Sequence, residues 1–360
     1  MPQPLLSAGN KAQPSVMNMF HPLATAYGPA PVSGKIRVAP EDFQVIEIPA
    51  FVPSGEGEHC ILHIRKKQMN TEQVAKILAR HAGLVPSRVS WAGMKDRNAV
   101  TEQWFGVHIG NKAEPDWKAL NSDRLKVLEC YRNNRKLKRG VLKGNQFYLR
   151  VTGVEGDIEA AKDRYEAILD HGIPNYFGEQ RFGFRGRNLH KALAMFRSPR
   201  RRQNRHERGI YLSAARAQLF NMVLDHRVQT RTWNTIMPGE VCMLNGTHSY
   251  FSTDGETNLQ KRLEDFDIHP SGPLWGTGEL PTSGQCRQLE TDTVSKYKEF
   301  ADGLEMAGLK QERRALRVEP RFFQMQIAGN EMSLNFELPP GCYATSVLQE
   351  LVNTGGDTVI

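Results

Sequence analysis

Polar and apolar residues alternate through "GKIRVAPEDFQVIEI" (34–48), which predicts strands interrupted at Pro40. On the second of these, Phe43, Val45 and Glu47 share one face. The period then lengthens. In "NTEQVAKILARHAG" the stripe Val74, Ile77, Leu78 and His81 predicts a helix, capped by Asn70 with Gln73 three residues on and ended at Gly83. "VSWAG" and "EQWFGVHI" read as strands on either side of the segment 94–100. A strand over 142–154, "LKGNQFYLRVTGV", puts Phe147, Leu149 and Val151 together, and a helix capped by Asp157 and closed by Gly172 follows it.

Past Gly172 the texture changes. "IPNYFGEQRFGFRGRN" is rich in glycine and aromatics, and an arginine block leads to "SAARAQLFNMVLDHRV", a helix with Ser213 as its expected cap. Residues 230–290 are turn-rich with short strand-like pieces, and 291–317 read as a polar helical segment. "RFFQMQIAGNEMSLNFEL" predicts a hairpin turned at Gly329–Asn330, followed by a helix in "GCYATSVLQELVNTGG" that glycine stops. Short, alternating, hairpin-like strands with no G-x-G-x-x-G or P-loop at a strand end predict an α+β protein with a largely antiparallel sheet. No internal repeat is visible. The expected layout joins the N-terminal half and the terminal hairpin in one sheet, with 173 to about 317 inserted between them.

Composition narrows the partner. At 360 residues, with 39% hydrophobic and 24% charged residues, the chain is an ordinary globular sequence long enough for two domains. Its net charge of +8 is unevenly spread. Residues 131–150 hold seven basic residues and no acidic one, and residues 181–208 hold ten against Glu207 alone. Those blocks carry +7 and +9, so −8 remains for the rest. An acidic body with two basic blocks points to a polyanion such as nucleic acid, although such blocks also occur as plain solvated faces. Five scattered cysteines without a C-x-x-C pair indicate a reducing compartment, with neither a disulfide framework nor a zinc site. His59 and His63 merely share a strand face. The first 34 residues, rich in Pro, Ala, Gly and Ser, read as a mobile extension and not a signal peptide, and no stretch is apolar enough to span a bilayer.

No Ser-His-Asp, Cys-His or metal-ligand pattern is apparent, so carboxylates remain as candidate catalysts. Asp96, in "GMKDRNAV", lies between Lys95 and Arg97 in sequence. Neighbouring cations favour an ionised carboxylate, available as a nucleophile; a solvated turn explains the same triplet. Phe43 and Phe147 open strand-like runs beside Glu47 and Asn145 respectively. A base taken out of an RNA stack needs an apolar platform and an edge-reading polar group, yet strand phenylalanines are also ordinary core residues.

"PEDFQVIE", "GMKDRNAVTEQWFGV", "LKGNQFYL", "PNYFGEQRFG", "SAARAQLFN" and "LPPGCYATSVLQELVNTGG" occur in this order, and together they resemble the tRNA pseudouridine synthase D (TruD) family from about Gly34 to the C-terminus. The resemblance implies a cytoplasmic isomerase that converts uridine, usually at position 13 of tRNA, to pseudouridine. It implies no metal, cofactor, membrane or obligate protein partner. The family's nucleophile falls on Asp96, its substrate contacts on Phe43, Asn145 and Tyr343, its base-stacking aromatic on Phe147, and a basic partner for the aspartate on Arg37. Family members carry lysine where Arg37 stands and phenylalanine where Tyr343 stands, changes that keep the charge or the ring. The implied fold is a pseudouridine-synthase-like catalytic domain (34–172 and 320–360) with an inserted α/β TRUD domain (173–319), after a flexible extension (1–33). Whether the carboxylate attacks the sugar or the base stays open. A non-catalytic tRNA-binding or folding factor of the same fold is the alternative.

Overall fold

The computed structural model describes residues 22–198 and 204–355. The chain divides into two compact units, residues 27–175 with 318 onward, and residues 176–317 with the segment preceding 27. In the first unit, β1 (Val32–Ile36), β2 (Phe43–Pro49), β3 (His59–Lys67), β4 (Val89–Trp91), β5 (Val100–His108), β6 (Leu125–Asn133) and β7 (Leu142–Gly156) join the hairpin strands Arg321–Ala328 and Glu331–Leu338. The sheet runs Arg321–Ala328, Glu331–Leu338, β7, β2, β5, β3, β6. Its pairings are antiparallel except β2 with β5 and β1 with the short strand Val352–Asn353.

Alternation sets which face is buried. Along β7, Phe147, Leu149 and Val151 point inward while Tyr148 and Arg150 are exposed. Register then aligns side chains across the strands. Phe336, Phe147, Val45, Thr101, Lys66 and Leu125 form one buried row over six strands. Phe43 lies opposite Leu149, and Glu47 opposite Asn145. Helix α2 (Ile158–His171) and the helix Ala344–Leu351 cover one part of this face with Ala161, Ile168, Val347, Leu348 and Leu351. Helix α1 (Thr71–His81) covers another with Val74, Ala75 and Leu78. Each buried Val, Leu, Ile or Phe among these contributes about 1.5–3 kcal/mol through burial. Gly144 is required where β7 meets the hairpin, because a Cβ there would stand 2.6 Å from the Leu338 carbonyl oxygen.

Local signals read from the sequence account for most of these elements. Asn70 and Gln73 form the capping box of α1, and Asp157 accepts from the Ala160 amide at 2.9 Å to start α2. Four expectations are corrected. The helix containing Ser213 begins a full two turns earlier, at Arg205, with Asn204 accepting from the His206 amide; Ser213 instead sits mid-helix, where its hydroxyl accepts from Arg181. The stretch 291–317 is not one helix: helices end at Ser295 and Met306, and Glu312–Ala315 pairs with Ile268–Leu274. The last helix ends at Leu351 before any glycine, because Val352–Asn353 is drawn into the sheet beside β1. Residues 22–33, expected in a flexible extension, are held: Tyr27 donates from its hydroxyl to the Gly172 carbonyl at 2.6 Å, and the Ala24 amide donates to Asp225 at 2.7 Å. The extension's first 21 residues lie outside the described residues.

The second unit packs the helix Arg205–Gln229 with an antiparallel sheet ordered Tyr250–Ser252, Val241–Leu244, Ile268–Leu274, Glu312–Ala315. No helix among the described residues is long and apolar enough to cross a membrane.

Candidate active site

The segment between β4 and β5 crosses the buried face as a loop held at several points. Gly93 passes so close to Glu47 that a Cβ would lie 3.0 Å from Oε1. Its carbonyl accepts from Gln103 Nε2 at 2.9 Å. The Lys95 amide donates to Thr71 Oγ1 at 3.1 Å, and that hydroxyl donates to Gln103 Oε1 at 3.1 Å. The Asp96 carbonyl accepts from Lys66 Nζ at 3.0 Å. Main-chain groups that would otherwise fluctuate are therefore fixed on both sides of the Asp96 side chain, which is the pre-organisation a nucleophile needs.

Electrostatics around the loop differ from the sequence reading. Lys95 does not serve Asp96: its ammonium is 2.6 Å from Glu47 Oε1, with both side chains at least nine-tenths buried. Glu47 Oε2 also accepts from the Trp104 amide at 2.9 Å. Arg97 is exposed. The cation against the Asp96 carboxylate is Arg37, whose Nη2 donates to Oδ2 at 3.2 Å. Arg37 follows β1 with φ +58°, a left-handed conformation uncommon for a residue with a Cβ. Its guanidinium lies 4.1 Å from the centre of the Phe43 ring. Burial lowers the Arg37 pKa from its usual range, and the charge and hydrogen bond of Asp96 oppose that. The Asp96 side chain keeps a quarter of its surface accessible, so a substrate can reach it.

Among the described residues, two buried polar atoms of the expected site residues have no hydrogen-bond partner: Arg37 Nε, a donor, and Asn145 Oδ1, an acceptor. Buried polar groups are normally satisfied, so each of these atoms could take a polar ligand group.

Of the expected site residues, the structure brings Arg37, Phe43 and Asp96 into direct contact. Asn145 stands across from Glu47 on β7, and Leu338, its partner on the other side, precedes Tyr343 by five residues. Tyr343 begins the helix Ala344–Leu351, its carbonyl accepting from the Ser346 amide at 3.0 Å. Phe147 is a core residue, stacked on Phe336 with ring centres 5.4 Å apart. Sequence reasoning missed Lys66, Thr71 and Gln103. For Lys66 a signal existed: Leu62, Ile64 and Lys66 keep the inward period of β3, so the middle of "RKK" points into the protein.

Most of the described residues of the basic blocks are exposed. Arg135, Lys136, Lys138, Arg139 and Lys143 are exposed, while Arg150 is engaged at 2.6 Å by the buried Asp42. In the second block Arg185, Arg187, Lys191, Arg205 and Arg208 are exposed; Arg200, Arg201 and Arg202 lie outside the described residues. A cleft of about 290 Å³ at the sheet end where β5 leaves the loop has a mixed lining, Arg65, Lys67, Arg124 and Lys126 with Glu41 and Asp123. Scattered in sequence, Cys60 and Cys130 nevertheless meet across β3 and β6 beside Glu114, and the Arg132 guanidinium lies 3.7 Å from Cys60 Sγ and from Glu114 Oε2. A fixed cation already flanks that group.

The sequence profile of the family described as tRNA pseudouridine synthase D (TruD) matches residues 24–198 and 201–351. A Methylococcus capsulatus protein named tRNA pseudouridine synthase D is 48% identical over 337 residues, spanning 92% of this chain and 95% of its own. One of the same name from Aeromonas hydrophila is 44% identical over 335 residues, spanning 93% and 95%. A crystal structure assigned to TruD, from Methanosarcina mazei, superposes with a TM-score of 0.68 at 21% identity, covering 91% of this chain and 95% of that one; this likeness is one of fold. With nearly the whole chain matched by the profile and by relatives close to half identical, the protein belongs to the tRNA pseudouridine synthase D (TruD) family.

Proposed function

We propose that this chain isomerises uridine to pseudouridine in tRNA, at position 13, with Asp96 as the nucleophile. The observation that carries the reading is the Arg37–Asp96 pair on a loop pinned at Gly93, Lys95 and Asp96. In the reaction the bond from uracil N1 to the ribose breaks, the ring turns, a bond forms from C5 to the same sugar carbon, the C5 proton leaves to solvent, and N1 takes up a proton in exchange. Nothing is oxidised or reduced. A carboxylate that bonds covalently to sugar or base keeps the fragments together during the turn, and either attack uses the same Asp96 oxygen.

Each neighbour has a physical task in this reading. Arg37 aims the carboxylate through a charge-assisted hydrogen bond. Phe43, Phe147 and the ring of Tyr343 supply the apolar surroundings that a flipped pyrimidine requires. Asn145 Oδ1, unpartnered among the described residues, accepts from the pyrimidine N3–H. The exposed cations of the two basic blocks, among them Lys138, Arg139, Arg187 and Arg208, contact phosphates and position the RNA without reading its sequence. Residues 176–317 correspond to the inserted TRUD domain, and the enzyme works in the cytoplasm without a cofactor.

Nucleoside analysis of tRNA after incubation tests the reading. The wild-type chain forms pseudouridine and Asp96→Asn forms none while binding tRNA equally well. Tight binding with no product from the wild-type chain would instead identify a binding or folding factor.

A further inference from the structure

Lys66 occupies a place where charge is expensive. It stands in the buried row between Thr101 and Leu125, is fully buried, and takes part in none of the ion pairs among the described residues. Its ammonium donates to two main-chain oxygens, Met69 at 2.7 Å and Asp96 at 3.0 Å. Burying a cation without a directly paired carboxylate is strongly unfavourable, whereas methionine would fill the same space without that penalty. A stabilising role does not explain such a residue.

We propose that Lys66 is a positioning residue for the nucleophile: its ammonium pins the main chain at Asp96 and maintains a fixed positive charge beside the carboxylate. The two acceptors tie the turn that leaves β3 to the catalytic loop, so loop and strand move as one. The charged groups facing Lys66 from the elements packed on β3 are Asp96 and Lys95 of the loop and Glu47 of β2. Burial dominates and pulls its pKa down to about 8, with Asp96 and Glu47 opposing and Lys95 assisting. The charge is therefore present at neutral pH and lost on going above about 8. A neutral amine keeps two N–H groups, enough for both carbonyls, so an alkaline fall in rate reports the charge and not the hydrogen bonds.

The inference rests on Asp96 being the nucleophile, and the experiment separates the two claims. Steady-state pseudouridine formation on tRNA is measured from about pH 6 to 10 for the wild-type chain, Lys66→Met, Lys66→Arg and Asp96→Asn. For Lys66→Met the expected result is a kcat about 10²-fold lower at an almost unchanged KM, without the wild-type alkaline limb. Lys66→Arg is expected to recover most of the lost rate and to stay active to the highest pH, because a guanidinium does not deprotonate there. Wild-type kcat in Lys66→Met would overturn the proposal, as would an alkaline limb shared by wild type and Lys66→Arg. The second comparison decides even if Lys66→Met does not fold. Activity surviving in Asp96→Asn would reject the nucleophile itself; an inert Asp96→Asn beside a fully active Lys66→Met would reject only the role of Lys66.

Discussion

Arg37 Nη2 and Asp96 Oδ2 meet at 3.2 Å although 59 residues separate them in the chain, and Arg37 reaches that position from a left-handed backbone at φ +58°. A conformation of this kind costs about 1–3 kcal/mol and persists only where surrounding contacts fix it. The Phe43 ring under the guanidinium and the carboxylate in front of it supply those contacts. Replacing Arg37 with methionine removes the cation and keeps the stem. The expected outcome is a loss of about 10²-fold in kcat with tRNA affinity retained, measured by steady-state kinetics. Arg37→Lys should recover part of the rate, since it restores the charge without the planar fork.

The Lys95–Glu47 pair is a structural tie whose loss should be visible in stability. Glu47→Gln leaves the nearly buried ammonium of Lys95 without its counter-charge. Denaturant unfolding should show a loss of about 3–5 kcal/mol, and Glu47→Gln combined with Lys95→Met should be less destabilised than Glu47→Gln alone.

Lys66 makes stability depend on pH in a definite direction. Its folded pKa of about 8 lies below its ordinary value of 10.5. Between those values the unfolded chain binds the proton that the folded chain has released, so this group's contribution rises with pH across that window. Relative to Lys66→Met, the wild-type protein should gain about 3 kcal/mol from pH 8 to 10.5, read from paired denaturation curves. A constant difference between the two proteins would contradict the burial assigned to this ammonium.

Salt dependence distinguishes basic residues that face RNA from those that serve the fold. Lys138 is exposed and Arg150 is held by the buried Asp42, although both belong to one block in the sequence. Lys138→Glu should flatten the slope of log affinity against log salt by about 0.7–0.9 for each phosphate that is no longer neutralised. Arg150→Ala should leave that slope unchanged and lower stability, because the buried Asp42 is deprived of a charged partner.

Much of the large sheet was legible because local rules dictate it. The inward set Phe43, Val45 and Glu47, the hairpin turned at Gly329–Asn330, and the caps Asn70 and Asp157 follow from period and side-chain chemistry over a few residues. What escaped depends on register between distant segments. The triplet around Asp96 invites the reading that its sequence neighbours are its electrostatic partners; the sheet instead turns Lys95 toward Glu47 on β2 and brings Arg37 from the end of β1. Lys66 was not singled out, because only the strands pairing on both sides of β3 bury it. The strand Glu312–Ala315 was hidden for the same reason, since only its pairing with Ile268–Leu274 selects extended backbone for a polar stretch. Phe147 was legible as an inward residue, but not its stacking on Phe336, which lies 189 residues further along.

The most direct measurement is tritium release from tRNA carrying 5-tritiated uridine, with the full-length protein and its Asp96→Asn variant side by side. The expected result is stoichiometric release by the wild-type chain at a single uridine and none above background from the variant, with both proteins equally folded. Release at the wild-type rate from Asp96→Asn would contradict the assignment of this carboxylate as the group that bonds to the substrate.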